Sequence, residues 1–275
     1  MARPLVILSA YCRWSATSQR WLAAGERLVG AIAVEATTVE EKSALTVDRY
    51  DSTDHCRGSE LFDWERRWFA ARLPPPPARI LLGAAGAGRE LRWLLDAGYA
   101  VAAFEPAPSM VALAERRIRG RAPVATFRFE DLIDAVLRKG SGPARPIADA
   151  SYDAVILGWE SLSHVVDREM QADLFKCLDR ICPNGPILAS FWQRSGEAPA
   201  GLGKAERIGR SIGRALMRLR GSRAAATDQV VFTTHAGFAY VFAEEEPRLL
   251  AERVGRTIAS ETNDEFPHVT FLNRG

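Results

Sequence analysis

The sequence is poor in cysteine and in long apolar runs, and each of these two shortages excludes a class of protein. Its 275 residues include only four cysteines and four histidines. The cysteines form no CxxC pair, so the sequence predicts neither a disulfide framework nor a cysteine-based zinc site. They are Cys12, Cys56, Cys177 and Cys182. We therefore expect a reduced, cytoplasmic protein without a bound metal ion.

A strong net charge is also missing. Lysine and arginine number 36 against 34 aspartates and glutamates, which leaves a net charge of +2. No chain-wide field therefore points to a nucleic acid or to a membrane surface. The apolar stretch at residues 28–36 is interrupted by Glu35 and is far too short to span a bilayer. The hydrophobic content of 47% is ample for one large globular domain, or for one domain with an appended cap.

The pattern along the chain changes after four consecutive prolines at residues 74–77. Residues before them show mostly helical periodicity, which predicts an N-terminal helical cap over 1–78. A proline run cannot continue a helix, so the boundary of the second domain, 79–275, is placed there.

From residue 79 onward, short apolar runs alternate with amphipathic segments, as in a parallel sheet covered by helices. The predicted strands are 80–83, 100–104, 126–129, 154–157, 187–191, 257–260 and 268–272. The predicted helices between them are 89–97, 109–119, 131–138 and 168–181. This is the pattern of a Rossmann-like three-layer α/β/α sandwich with a mostly parallel seven-stranded sheet and a lid-like helical insert at 196–226. Ligands are expected at the carboxyl ends of the strands.

A glycine-rich turn follows the first predicted strand. Gly86 and Gly88 are expected to let the backbone approach a ligand closely, because a side chain there would occupy the ligand's space. Glu105 ends the next strand, where a carboxylate can accept hydrogen bonds from both hydroxyls of a ribose. These residues indicate a nucleoside cofactor. The dinucleotide fingerprint fails at Leu91, where its third glycine would stand, which disfavours pyrophosphate binding.

On these residues the chain resembles the class I, Rossmann-like S-adenosylmethionine-dependent methyltransferase family, over residues 79–272. In that family the second strand ends in an acidic residue, followed by a proline-containing turn and an apolar residue, often methionine. Here the segment is Phe-Glu-Pro-Ala-Pro-Ser-Met over residues 104–110. The resemblance implies that Glu105 and Pro106 contact the ribose and that Met110 packs on the adenine.

The resemblance extends to four further landmarks. It implies that Asp131, in preference to Glu130, binds the adenine amino group, although an aspartate there can equally cap the next helix. It places Gly158 and Trp159 beside the methionine end of the cofactor. Residues 182–188 are similar to the turn that leads into the fifth strand, and Gly83 and Ala84 open the cofactor turn after the first. Two positions depart from the family pattern: Leu82 replaces an acidic residue, and Ala84 replaces the first motif glycine.

His164 is the candidate general base, since it follows the fourth strand and its pKa range suits proton transfer. Glu160 competes for that role. A helix start at Ser163 and His164 explains the segment without chemistry, and an already nucleophilic acceptor needs alignment more than a base.

Two other segments are candidates for substrate contact. Tyr50 and Arg57 lie in a polar cluster before an aromatic helix. They either contact the carboxylate end of the cofactor or belong to a solvated loop. A basic amphipathic helix over 204–220 carries Arg207 and Arg210, with Arg214, on one face. Its other face is apolar, at Ile208, Ile212, Ala215 and Leu219. The arginines fit an anionic acceptor, an acidic partner or simply a solvated surface.

The sequence therefore predicts an enzyme that transfers a methyl group from S-adenosyl-L-methionine to a small-molecule or small-peptide acceptor. No nucleic-acid or membrane partner is expected. Two alternatives stay open, a non-catalytic cofactor-binding or scaffold protein on the same fold and a nicotinamide-dependent oxidoreductase.

Overall fold

The structure, a computed structural model, describes residues 23–52, 60–194, 203–221, 229–260 and 266–273. Within these residues, no helix is both long enough and apolar enough to cross a membrane. The described strands, in chain order, are β1 (Arg79–Gly83), β2 (Ala100–Phe104), β3 (Val124–Ala125), β4 (Ala154–Leu157), β5 (Ile187–Ser190), β6 (Val230–Thr233), β7 (Gly237–Tyr240), β8 (Arg256–Ser260) and β9 (His268–Asn273). The described helices are α1 (residues 23–36), α2 (Val39–Ser52), α3 (Asp63–Arg72), α4 (Arg89–Asp96), α5 (Pro108–Ile118), α6 (Phe129–Leu137), α7 (Arg145–Ala148), α8 (Arg168–Ile181), α9 (Lys204–Leu219) and α10 (Glu246–Arg253).

Seven strands form one sheet in the order β3-β2-β1-β4-β5-β9-β8. Strands β1 to β5 are parallel, while β9 runs antiparallel to both β5 and β8. The strand order reverses between β1 and β4, which opens a crevice at the carboxyl ends of the strands, where open α/β sheets bind ligands. The predicted mostly parallel, Rossmann-like seven-stranded sheet is confirmed.

Alternate side chains of the central strands point into two different cores. Leu81 and Val155 pack with α6 and α8 on one face. Ile80, Leu82 and Ile156 pack with α3, α4 and α5 on the other. Because helices cover both faces, these strands are apolar at nearly every position instead of alternating with polar residues. The result is the three-layer sandwich expected from the sequence.

The third strand is shorter and earlier than predicted. It covers Val124–Ala125, and Phe129 already begins α6, so the predicted strand at 126–129 is wrong. The apolar residues Phe127 and Phe129 suggested a strand because they alternate with polar ones. They are instead buried against Phe104, with ring centroids 4.4 Å and 5.4 Å away, from a loop and from a helix start.

A cap layer covers the carboxyl edge of the sheet and consists of α1, α2, α9 and the antiparallel hairpin β6–β7. The sequence did not predict the hairpin. Two glycines let α9 approach α1 closely, because a Cβ on Gly209 would lie 2.6 Å from the Leu28 carbonyl oxygen, and one on Gly213 would lie 2.5 Å from that of Ile32. On α2, Thr46 Oγ1 accepts a hydrogen bond of 3.0 Å from the Phe238 N–H of β7. The N-terminal helices and the insert therefore pack together.

The faces of α9 differ from the prediction. Arg210 is 4% exposed, and it pairs with the buried Glu35 of α1 at 3.2 Å and donates to the Val230 carbonyl oxygen at 3.1 Å. Its role is to join three elements of the cap layer. The predicted apolar face is exposed instead, with Ile208 at 46% and Leu219 at 85%. Helix α9 therefore meets α1 through two glycines and one buried ion pair, and not through its apolar side chains.

Candidate cofactor and acceptor site

A cavity of about 320 Å³ lies between the carboxyl edge of the sheet and the cap layer. The turns after β1, β2 and β4 form its floor, and α2 covers it. Of the residues predicted to hold the cofactor, those that line this cavity are Ala84, Gly86, Glu105, Pro106, Met110 and Trp159. The candidate base His164 and the candidate substrate residue Tyr50 line it too.

The turn after β1 is held in a left-handed conformation by three residues. Ala84 has φ 54, Gly86 has φ 51 and Gly88 has φ 79. A Cβ on Gly86 would meet no atom within 4 Å, so the backbone there faces open space, as the prediction requires. A Cβ on Gly88 would lie 2.9 Å from Cα of Ala114. Gly88 therefore brings the turn close to α5 and does not face the ligand, which corrects its predicted role.

Gly83 and Gly158 shape the turn from behind and do not line the cavity. The Gly158 N–H donates a hydrogen bond of 2.7 Å to the Gly83 carbonyl oxygen. A Cβ on Gly158 would lie only 2.2 Å from the Ala84 carbonyl oxygen. Both glycines thus permit close packing of β1 against β4. Leu82, which departs from the family pattern, is fully buried in the core and leaves the cavity surface unchanged.

Glu105 lines the cavity beside the turn after β1 and is 5% exposed. Its Oε2 accepts a hydrogen bond from the Gly86 N–H, and its Oε1 accepts one from the Ala107 N–H, both at 2.9 Å. Burial raises the pKa of Glu105 to about 7, although these two hydrogen bonds act in the opposite direction. Each carboxylate oxygen keeps capacity for a second donor, so both hydroxyls of a ribose can still bind.

Asp131 does not face the cavity. It is exposed in the first turn of α6, where its Oδ2 accepts a hydrogen bond of 2.8 Å from the Arg128 N–H. This is the capping alternative, and it arises because the third strand ends earlier than predicted. The neighbouring Glu130 and Phe129 line the cavity instead.

A buried charge cluster that the sequence did not indicate borders the cavity at Arg89. Two hydrogen bonds, of 2.7 Å and 2.6 Å, join its guanidinium to Glu65, and a third of 2.8 Å joins it to Glu90. The same guanidinium lies 5.0 Å from the ring centroid of Phe62 and 5.1 Å from that of Trp159. One cation faces two carboxylates, so the cluster carries a formal charge of −1. Burial and the charge of Glu90 raise the pKa of Glu65 to about 6.

Tyr50 and His164 form a hydrogen-bonded pair on the opposite wall. The Tyr50 hydroxyl lies 2.9 Å from His164 Nε2, and His164 Nδ1 lies 2.9 Å from the Phe238 carbonyl oxygen. A carbonyl oxygen only accepts, so Nδ1 carries the proton, and Nε2 of the neutral ring accepts from the Tyr50 hydroxyl. Burial and the charges of Glu160 and Glu105 raise the pKa of Tyr50, which keeps its hydroxyl protonated.

The predicted substrate residues are thus only partly brought together. Tyr50 lines the cavity, whereas Arg57 lies outside the described residues. Arg207 is exposed on α9 and Arg210 is buried within the cap layer, and neither lines the cavity. Sequence periodicity placed both arginines on one helix face but could not show which neighbour that face would meet.

The comparison with protein families identifies the class. Residues 81–189 match the family model described as "Methyltransferase domain". The chain therefore carries a methyltransferase domain, and the enzyme class predicted from the sequence is confirmed. The match covers β1 to β5, the part of the fold that holds Glu105 and the glycine turn. The chain matches no curated protein in sequence.

Solved structures confirm the fold. Magnesium protoporphyrin IX methyltransferase from Synechocystis, solved with bound SAM, has a TM-score of 0.51 at 15% identity, covering 85% of this chain and 97% of that one. The sugar N-methyltransferase KedS8 from Streptoalloteichus has a TM-score of 0.51 at 19% identity, covering 78% of this chain and 86% of that one. A Rhodobacter sphaeroides protein described as a zinc-dependent alcohol dehydrogenase has a TM-score of 0.55 at 13% identity, covering 85% of this chain and 98% of that one. At these identities the likeness concerns the class I fold.

Proposed function

We propose that this protein transfers a methyl group from S-adenosylmethionine to a small-molecule or small-peptide acceptor. The buried carboxylate of Glu105, next to the open turn at Gly86, is the observation that carries the proposal. A buried carboxylate with spare acceptor capacity suits the two hydroxyls of a ribose. Space without a side chain beside Gly86 suits close approach of the rest of the nucleoside.

The remaining residues of the cavity fit the other parts of the cofactor. Met110 is 3% exposed and offers an apolar surface for the adenine beside Glu105. The cluster of Arg89, Glu65 and Glu90 has an excess negative charge that suits the ammonium group of the methionine part. When bound, S-adenosylmethionine supplies a methyl group on a cationic sulfur, which leaves as a thioether.

The acceptor end lies between Trp159, Tyr50 and His164, beneath the cap layer. Because α2 and the β6–β7 hairpin cover this end, the cavity encloses its ligand, as expected for a small acceptor. Tyr50 Oη is placed to contact the acceptor, and His164 Nε2 is placed to receive the Tyr50 proton when the acceptor loses one. Two structural neighbours, named for a porphyrin and a sugar substrate, support an acceptor of this size class.

Calorimetric titration with S-adenosylmethionine, S-adenosylhomocysteine and NADH tests the proposal. We expect both sulfur cofactors to bind and NADH to give no heat. Glu105→Ala should weaken binding of S-adenosylhomocysteine by on the order of 100-fold, since two charge-assisted hydrogen bonds are lost. Asp131→Ala is the matched control, because Asp131 lies outside the cavity, and it should bind as the wild type does. No heat with either sulfur cofactor would contradict the proposal.

A further inference from the structure

Glu160 occupies the acceptor end of the cavity on an unusual stretch of backbone. It follows β4 with φ 58 and ψ 7, a left-handed conformation that a residue with a side chain rarely adopts. Its N–H donates a hydrogen bond of 2.7 Å to Ser190 Oγ at the end of β5. Trp192 lines the cavity with Glu160, and its backbone N–H donates a hydrogen bond of 2.8 Å to Ser163 Oγ. Conformations of this kind persist where the surrounding structure enforces them, and they cluster at functional sites.

Aromatic side chains surround this carboxylate. Trp159, Trp192 and Tyr50 line the same end of the cavity as Glu160. Burial and the negative charges of Glu160 and Glu105 raise the pKa of Tyr50. A carboxylate set among aromatic faces is the usual chemistry of a site for a cationic amine, because the faces attract the cation and the carboxylate accepts its N–H groups.

Three arginines among the described residues line the cavity, and none of these three forms an ion pair with Glu160. Arg89 is already paired with Glu65 and Glu90. Arg117 and Arg128 belong to α5 and to the residue before α6, on the side of β2 and β3. Strand β4 is separated from β3 by two strands, which puts the ends of β4 and β3 roughly 14 Å apart at the usual strand spacing. The charge of Arg89 is offset by two carboxylates, so the acceptor end stays negative, while Arg117 and Arg128 lie on the side of β2 and β3.

We propose that Glu160, which lines the cavity together with Trp159 and Trp192, selects a protonated amine as the acceptor, so that the protein methylates nitrogen. This inference rests on the proposed function and narrows its substrate class. The ammonium group donates to the Glu160 carboxylate and first gives it one proton. An amine acceptor therefore does not use the route through Tyr50 to His164. The freed nitrogen lone pair then forms the N–C bond to the methyl carbon as the C–S bond breaks, with its electron pair passing to sulfur. The products are the methylated ammonium and S-adenosylhomocysteine, and the Glu160 proton leaves to solvent.

Binding of three matched probes to protein saturated with S-adenosylhomocysteine tests the inference without relying on turnover. The probes are 2-phenylethylamine, 2-phenylethanol and 3-phenylpropionate, which share a ring and a short chain and differ in the charge of the head group. We expect the amine to bind about tenfold more tightly than the alcohol, and the carboxylate to bind most weakly. Glu160→Gln should remove this order, and Glu115→Gln, at an exposed position of α5 outside the cavity, should keep it.

Three results would overturn the inference: equal affinities for the probes in the wild type, no measurable binding of the amine, or an unchanged order in Glu160→Gln. A fourth is a Glu160→Gln variant that binds S-adenosylmethionine more weakly but S-adenosylhomocysteine as before. The carboxylate would then interact with the cationic sulfur of the cofactor and not with the acceptor. Failure of the wild type to bind S-adenosylhomocysteine at all would instead contradict the proposed function. Thermal unfolding of Glu160→Gln, measured alongside, distinguishes a folded variant that has lost the preference from a misfolded one.

Discussion

The Tyr50 hydroxyl and His164 Nε2 lie 2.9 Å apart, and this hydrogen bond joins the cap layer to the end of β4. The Phe238 carbonyl oxygen of β7 fixes the other ring nitrogen. One imidazole thus contacts both segments of the cap layer, the N-terminal helices and the hairpin. The orientation of the candidate base depends on both.

This arrangement predicts the tautomer of His164. Nitrogen NMR of the neutral ring should find the proton on Nδ1 and an unprotonated Nε2. Tyr50→Phe should keep that tautomer, because Phe238 still accepts from Nδ1, and should lower the free energy of unfolding by about 1 kcal/mol through the lost hydrogen bond. A proton on Nε2 in the wild type would contradict the assigned direction of the Tyr50 hydrogen bond.

Cofactor binding should depend on pH through Glu105. Its pKa is raised to about 7, so it is mostly neutral at pH 6 and mostly ionised at pH 8. Only the ionised group accepts from both ribose hydroxyls without offering a proton of its own. We therefore expect S-adenosylhomocysteine to bind up to about tenfold more tightly at pH 8 than at pH 6. Calorimetry across this range measures the effect, and Glu105→Gln should bind weakly with a flat profile.

The same raised pKa has the opposite effect on stability without ligand. The folded protein holds this proton more tightly than the unfolded chain, whose carboxyl has its ordinary value of 4.5. The contribution of Glu105 is therefore complete below pH 4.5 and is lost as the pH rises to about 7. Urea unfolding of the wild type and Glu105→Gln should diverge over this window, with the variant the less sensitive to pH. Parallel pH profiles would contradict the assigned pKa.

Gly158→Ala should damage the cofactor turn from outside the cavity. The added Cβ would lie 2.2 Å from the Ala84 carbonyl oxygen, which is backbone and cannot rotate away. We expect a loss of roughly 1–3 kcal/mol in the free energy of unfolding, as for overpacking, with weaker binding of S-adenosylhomocysteine. Gly25→Ala is the control, since its Cβ would meet nothing within 4 Å in helix α1. Similar losses in both variants would argue against a specific clash.

Ala84→Gly should have the reverse effect on the same turn. Ala84 has φ 54, and this conformation costs an alanine about 1 kcal/mol that a glycine does not lose. The variant should therefore unfold at a higher temperature than the wild type while still binding S-adenosylhomocysteine. Calorimetric scans of both proteins measure the difference. A lower unfolding temperature would mean that contacts of the Ala84 methyl group outweigh the backbone strain.

Glu35→Gln tests the ion pairs inside the cap layer. Glu35 is 1% exposed and lies 3.2 Å from Arg210 and 3.0 Å from Arg214. Removing its charge breaks the buried ion pair with Arg210, which costs about 3 kcal/mol at sites of this kind. Hydrogen exchange should accelerate in α9 more than in the central sheet. Glu40→Gln, at an exposed position of α2, should leave exchange unchanged, and a uniform acceleration over the whole molecule would contradict a local role.

Much of the fold could be predicted because its determinants are local. Buried parallel strands are short apolar runs, and β2, β4 and α8 begin and end where the sequence pattern placed them. Strand β3 was misplaced because Phe127 and Phe129 give the same alternation in a loop and a helix start as in a strand. The β6–β7 hairpin was missed because each of its strands has only four residues, too few to show a clear alternation of apolar and polar side chains.

The site was predictable where one motif defines it. Gly86 lies in the turn after β1, and Glu105 and Met110 belong to the segment that leads from β2 into α5. Each of the three lines the cavity. The cluster of Glu65, Arg89 and Glu90 depends on α3 packing beside α4, a tertiary contact without a sequence signal. The same limit explains Arg210, whose partner Glu35 lies on a helix far away in the chain.

The contact between Thr46 and Phe238 spans 192 residues, which include strands β1 to β6. Contacts of such separation form only after the intervening chain has been ordered, because closing a long loop costs entropy that local contacts must first offset. During synthesis, β1 and β2 emerge well before the hairpin that orients His164. A growing chain can therefore form the part of the cavity proposed for the nucleoside before the part proposed for the acceptor. The cavity can align the two reactants only when translation has passed β7.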